Sequence, residues 1–170
     1  MMEGKTAAVA MSGGVDSSVV AAILKKQGYA VRGVFMAFGQ PDLAAQIERV
    51  QQVAAKLAVR LDVVDVEEVF RAKVLEYFCD AYLAGRTPNP CVVCNPNVKF
   101  GRLLAAVREL GVDIMATGHY ARLERVEDRV RLLKGLDPKK DQSYFLHRLG
   151  QEQLDSLLFP LGEYTKDHVR

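Results

Sequence analysis

Two short stretches of this 170-residue chain hold residue types whose spacing suits chemistry, one on phosphate and one on sulfur. The first runs Ala10-Met11-Ser12-Gly13-Gly14-Val15-Asp16-Ser17-Ser18. Glycines let a backbone approach a phosphate closely, and a helix start offers unpaired N–H groups at the positive end of its dipole. Ser12, Ser17 and Ser18 add hydroxyl donors, and Asp16 can cap the helix or take a magnesium ion through oxygen. The stretch lacks the Gly-Lys-Ser/Thr ending of a Walker A loop and is not a dinucleotide Gly-x-Gly-x-x-Gly. Its bland alternative is a tight turn before a capped helix.

The second stretch, Cys91-Val92-Val93-Cys94, lies in a span with three prolines, Pro88, Pro90 and Pro96. A thiolate reactive near neutral pH needs a cationic or amide-rich setting, which Arg86 and Lys99 can supply. Four readings stay open. The pair is a nucleophilic or redox site, half of a zinc site, part of an iron–sulfur cluster on Cys91 and Cys94, or two inert packing cysteines. Both metal readings need further ligands.

The elements that must position these residues follow a regular alternation. Thr6–Ala10 reads as a short buried strand ahead of the phosphate loop, and Val19, Val20, Ile23 and Leu24 recur at helical spacing up to Gly28. Ala30–Phe38 is a second strand whose continuous apolar character suits a sheet covered on both faces. Leu43, Ile47, Val50, Ala54 and Leu57 mark a helix after Pro41, and Val59–Val66 a third strand. A longer helix should turn Val66, Phe70, Val74, Tyr77 and Phe78 inward and run to Gly85, with Cys79 as a packing residue. The span from Gly85 to Pro96 should be a shaped loop, since prolines oppose a regular helix.

Helical spacing returns with Val98, Leu103, Leu104, Val107 and Leu110. Asp113–Thr117 is a fourth strand, with Gly118-His119-Tyr120 at the carboxyl edge where open α/β sheets bind ligands. His119 is either a ligand neighbour or a hydrogen-bonded structural residue. Arg122–Glu127 and Arg129–Lys134 form a hairpin, and short helices follow from Ser143 and Thr165. Tyr29, Phe35 and Phe38 read as core. The pattern predicts one α/β domain over residues 1–170, an open parallel sheet with helices on both faces and a small β-hairpin near its C-terminal part.

Composition narrows the classes further. An apolar fraction of 49% with 26% charged residues is that of a globular domain, and no apolar run reaches membrane-spanning length. Three cysteines without a secretory leader point to a reducing, cytoplasmic setting and no membrane. The segment from Ala81 to Arg108 carries Arg86, Lys99, Arg102 and Arg108 and no acidic residue. Such a locally basic region suits either a polyanion or ordinary solvent.

The string Ser12-Gly13-Gly14-Val15-Asp16-Ser17 resembles the pyrophosphate loop of the ATP-pyrophosphatase (PP-loop) families, whose fold is Rossmann-like and of the adenine nucleotide alpha hydrolase type. That resemblance implies ATP cleaved between its α- and β-phosphates with a substrate oxygen adenylylated. Gly85-Arg86-Thr87-Pro88-Asn89-Pro90, Cys94-Asn95, Lys99-Phe100, Ala116-Thr117-Gly118-His119-Tyr120, Lys140-Asp141-Gln142-Ser143-Tyr144-Phe145-Leu146 and Phe159-Pro160-Leu161-Gly162 follow in order. Together they closely resemble the tRNA-specific 2-thiouridylases of the MnmA type.

The resemblance implies ATP held by Ala10, Met11, Ser12, Gly13, Gly14, Val15, Asp16, Ser17 and Met36, with Gly118 lining the adenosine site and Mg2+ as companion. It implies Asn89, Pro90 and Cys91 against the target uridine, and Lys140, Asp141 and Gln142 against tRNA. Cys94 matches the catalytic cysteine, with Cys91 and Asp16 as further catalytic candidates. The implied reaction is adenylylation of the wobble uridine O2, then sulfur transfer to C2 with release of AMP. A sulfur donor, either a persulfide carrier protein or sulfide, is the implied partner beside tRNA.

At Cys91 some family members carry aspartate, and a Cys-x-x-Cys pair keeps the iron–sulfur reading open. The family's second catalytic cysteine, central domain and C-terminal β-barrel would lie beyond Arg170, so a fragment or truncated form is expected. The alternatives are another PP-loop adenylylating enzyme of the amidotransferase type and a nucleotide-binding module inactive alone.

Overall fold

A computed structural model describes residues 5–170. Strand β1 (Thr6–Ala10) leads through the glycine loop into helix α1 (Val15–Lys26), and β2 (Ala30–Ala37), α2 (Leu43–Lys56) and β3 (Arg60–Asp65) follow. Helix α3 (Glu67–Phe70), a π-helical turn (Arg71–Leu75) and α4 (Glu76–Leu83) run on continuously. Helix α5 (Pro90–Cys94), a π-helical stretch (Asn95–Leu103) and α6 (Leu104–Glu109) form a second continuous rod. Strand β4 (Ile114–Ala116), the hairpin β5 (Ala121–Val126) and β6 (Arg129–Lys134), a 3-10 turn (Ser143–Leu146), α7 (Gln151–Asp155), β7 (Leu157–Leu158), a second 3-10 turn (Pro160–Glu163) and α8 (Lys166–Val169) complete the chain. Among the described residues no helix is long and apolar enough to cross a membrane.

The sheet is five-stranded and parallel throughout, in the order β3-β2-β1-β4-β7, with the antiparallel hairpin β5-β6 apart from it. Side chains alternate across a strand, and here both sides are covered. Ala7 and Val9 of β1 and Phe35 and Ala37 of β2 pack with Val20, Leu24, Val50 and Ala54 of α1 and α2. Ala8 and Val34 face the other way, onto Phe100, Leu103, Leu104 and Val107. Burying one such side chain contributes about 1.5–3 kcal/mol, so each strand's alternation fixes its register strongly.

Several expectations need correction. Tyr77 and Phe78 are not inward: both are exposed, as are Tyr82 and Leu83. Only Val74 and Ala81 of the rod from 67 to 83 join Val66 in burial. Cys79 is likewise exposed rather than a packing residue.

The span 85–96 is not all loop either, because a helix starts within it. Pro90 takes the first helical position, where its fixed φ suits a helix and its missing N–H costs nothing, and the Asn89 side chain accepts from Val92 N–H at 3.4 Å. Pro96 lies deeper, where a regular α-helix would clash. The chain winds there as a π-helix, and side chains take up carbonyls along the rod: Asn97 Nδ2 donates to Val93 O at 2.8 Å, and Gln153 Nε2 to Pro96 O at 2.9 Å and Phe100 O at 2.8 Å.

Candidate active site

The loop after β1 owes its shape to a few short hydrogen bonds. Gly13 adopts φ +76°, a left-handed conformation open to glycine, and turns the chain back toward α1. Ser12 N–H donates to Ser17 Oγ at 3.2 Å, while the hydroxyls of Ser17 and Ser18 donate to Gly14 O at 3.1 and 2.9 Å. The serines therefore brace the loop before any ligand arrives. Gly14 is the N-cap and no side chain caps the helix, which leaves the first-turn amides of Val15, Asp16 and Ser17 for an anion.

Asp16 has a different role from the cap expected of it. Its Oδ1 accepts from Lys166 Nζ at 2.5 Å and from Tyr120 Oη at 3.1 Å. The Tyr120 phenol is pushed well above its ordinary range by burial and by the Asp16 carboxylate, so it stays a donor. Among the described residues no group of three His, Cys, Asp or Glu could hold a metal ion. A magnesium ion would therefore depend chiefly on oxygens of a bound nucleotide and on water, its usual preference. Cys91 and Cys94 are likewise two cluster ligands without a third among these residues.

A cavity of about 360 Å3 opens at the carboxyl ends of β1, β2 and β4. Of the residues that the resemblance assigns to ATP, Ala10, Met11, Ser12, Asp16, Ser17, Met36 and Gly118 line this cavity. Gly13, Gly14 and Val15 shape the loop but are not on the wall, and Val15 is exposed. The wall also contains residues that sequence reasoning did not place there, chiefly Phe38, Gln40, Lys99 and Thr117. His119 is on the wall too, its Nδ1 hydrogen-bonded to Thr117 Oγ1 at 2.6 Å between the rings of Phe100 and Phe159. Burial, reinforced by the Lys99 charge, drives the His119 pKa down to about 3, so its imidazole is neutral.

Lys99 links this cavity to the cysteine helix. Its charge acts on the Cys94 thiol, and the residue lines the cavity. Burial pushes the Cys94 thiol up, and the Lys99 charge only partly opposes this. Lys99, not Arg86, is the cation that acts on it. Cys94 is half-buried and Cys91 exposed, so the two thiols occupy unlike settings one helical turn apart.

The remaining candidates divide by environment. Lys140 is exposed on the loop before the first 3-10 turn. Asp141 is occupied internally: its Oδ1 accepts from Gly135 N–H at 2.9 Å and its Oδ2 from Ser143 Oγ at 2.9 Å. Gln142 lines the cavity, and its Oε1 accepts from Tyr120 N–H at 3.0 Å. Asn89 spends its side-chain oxygen on the helix cap, with Pro90 beside it. Part of the basic run is also neutralised, since Arg102 pairs with Glu109 and Arg108 with Glu152.

Comparison with known proteins fits this arrangement. The chain is 49% identical over 166 residues to the tRNA-specific 2-thiouridylase MnmA of Syntrophomonas wolfei, covering 96% of this chain and 48% of that protein. It is 51% identical over 161 residues to the protein of the same name from Desulfotalea psychrophila, covering 95% and 46%. The chain thus spans about half the length of the curated relatives it matches. Among solved structures, a predicted subunit of tRNA methyltransferase from Methanocaldococcus jannaschii shares the fold. It superposes at a TM-score of 0.60 with 19% identity, over 98% of this chain and 72% of that one. A family model described as the tRNA methyl transferase HUP domain matches residues 5–170, and the chain belongs to that family.

Proposed function

We propose that this domain uses ATP to activate the O2 of a tRNA uridine, and that Cys94 takes part in replacing that oxygen with sulfur. The observation that carries the reading is one cavity shared by the phosphate loop and by Lys99, the residue whose charge acts on Cys94. The names of the relatives support the choice of tRNA and of thiolation.

The chemistry calls for two sites side by side. A uridine C2 carbonyl is amide-like and its oxygen leaves poorly. Attack of that oxygen on the α-phosphorus of ATP breaks the bond to pyrophosphate and leaves the oxygen esterified to AMP. Sulfur then bonds to C2 while the C–O bond breaks and AMP departs, so one hard step becomes two easier ones.

In this reading the free amides of Val15, Asp16 and Ser17 bind phosphate oxygens, and Met36 and Gly118 border the adenosine. Magnesium, carried on the nucleotide, would neutralise phosphate charge. Asn89, Pro90 and Cys91 border the uridine, and Lys140 contacts the tRNA backbone. Gln142 and Asp141 hold that loop against Tyr120 and Gly135 rather than reaching RNA themselves. The sulfur comes from sulfide, or from the outer sulfur of a carrier protein's persulfide, in which case a thiolate must then cleave the S–S bond and end in a disulfide with the carrier cysteine.

The test is an assay of the full-length protein with ATP, tRNA transcript and sulfide, with nucleosides read by mass spectrometry. We expect 2-thiouridine at the wobble position, one AMP for each thiouridine, and loss of product on Cys94→Ala with ATP binding retained. Release of AMP and pyrophosphate without tRNA would instead favour an adenylylating enzyme for a smaller substrate.

A further inference from the structure

Among the described residues, one cation on the cavity wall is left without a counter-charge. Lys99 stands in the π-helical stretch, keeps only part of its surface open, and lines the cavity with Ser12, Ser17 and His119. The charges that bear on its ammonium are those of the Cys94 and Cys91 thiols, with no carboxylate among them. Other cations are answered: Arg102 by Glu109, Arg108 by Glu152, and Lys166 by Asp16, the one carboxylate on the cavity wall among the described residues. An enclosed charge is costly unless an anion faces it. Lys99 thus lines the same cavity as Ser12 and Ser17 of the phosphate loop, and its charge acts on Cys94.

We propose that Lys99 holds the phosphate joining AMP to the activated substrate oxygen, and that it stabilises AMP as the leaving group when sulfur attacks. This rests on the thiolation reading above. In the activated intermediate that phosphate is a diester with one formal negative charge. As the carbon–sulfur bond forms, the carbon–oxygen bond breaks and AMP leaves with the bonding electron pair, keeping the former substrate oxygen. The sulfur's proton passes to solvent, and the phosphate becomes a monoester with two negative charges. A fixed ammonium therefore interacts more strongly with the departing AMP than with the bound intermediate. Such an interaction, strengthened only as the reaction proceeds, accelerates the chemical step rather than tightening binding.

The experiment uses the full-length protein with ATP, tRNA and sulfide, and follows both half-reactions in single turnovers. Pyrophosphate release reports activation and 2-thiouridine reports sulfur attack. Lys99→Met removes the charge at nearly constant length, Lys99→Gln is a second variant with a polar end, and Lys99→Arg keeps the charge. We expect the two neutral variants to lose about 100-fold in thiolation, the scale of one preorganised electrostatic contact. Pyrophosphate release should fall much less than thiolation, the KM for ATP should hardly move, and adenylylated tRNA should accumulate. Lys99→Arg should recover part of the thiolation. Equal losses in the two half-reactions, or unchanged thiolation in a neutral variant, would overturn the assignment. A wild-type protein that activates tRNA without ever thiolating it would overturn the thiolation reading itself, and this inference with it.

Discussion

Lys166 Nζ lies 2.5 Å from Asp16 Oδ1, tying α8 to the phosphate loop across 150 positions of sequence. Tyr120 completes the cluster, donating to the same oxygen, with the lysine 5.7 Å from its ring centroid. Two side chains, Lys166 of α8 and Tyr120 after β4, thereby fix the carboxylate at the first turn of α1. Their agreement explains how a helix lacking a side-chain cap still starts at a defined place.

Removing the lysine should loosen that turn. We expect Lys166→Ala to cost about 1 kcal/mol, as befits a partly exposed ion pair backed by hydrogen bonds. The shift should show in the urea midpoint with an unchanged slope. ATP affinity should fall several-fold, because the freed Asp16 charge then repels phosphate; isothermal titration with the nucleotide measures it.

His119 makes a pH-dependent contribution whose sign is set by its burial. Its folded pKa of about 3 lies below the ordinary 6.5, so the unfolded chain takes up a proton that the folded chain refuses. Stability should therefore fall as pH drops from 6.5 toward 3 and be unaffected by this group above that window. His119→Gln should flatten the acid limb of the stability curve. Imidazole NMR signals should show no titration of this residue between about pH 5 and 8.

Alkylation should sort the three cysteines. Cys79 and Cys91 are exposed, whereas burial raises the half-buried Cys94 thiol. Iodoacetamide at neutral pH is expected to label Cys79 and Cys91 first and Cys94 last, with peptide mass mapping as the readout. Cys94 reacting first would show that its thiol is activated even without substrate.

Gly162 is the tightest backbone contact in the second 3-10 turn, since a Cβ there would fall on the Ala121 carbonyl oxygen of β5. Gly162→Ala should destabilise the fold by about 1–3 kcal/mol or more, as overpacking does. Thermal unfolding checks this. Gly150, with open space around it, is the control and should move little.

Much of the frame was legible because it is written locally. An apolar strand, two glycines and a periodic helix specify β1, the loop and α1 within about 20 residues, with no distant partner needed. The misreadings share one cause, dependence on the rest of the fold. Apolar spacing at Tyr77 and Phe78 marks a helix but cannot say which of its faces is packed. Strand β7 is two leucines long, too short for any alternation to reveal. Pro90 and Pro96 looked like a veto on helix, yet one sits at the first helical position and the other in a π-winding supported by Gln153 from α7. Lys99 stands out in the sequence as a neighbour of Cys94 and a member of the basic segment, but not as part of the cavity wall, because that place depends on the winding.

The π-helical stretch sets the angular phase of the cysteine helix. In an ordinary α-helix at 3.6 residues per turn, five positions advance by about 500°, which would leave Cys94 and Lys99 roughly 140° apart. Where i→i+5 bonding widens the turn, residues five apart come round to the same side of the helix, and the Lys99 charge acts on the Cys94 thiol. A substitution that let this rod tighten into a plain α-helix would keep both residues and still separate them. The pairing of thiol and cation is thus encoded in helical pitch as much as in residue identity.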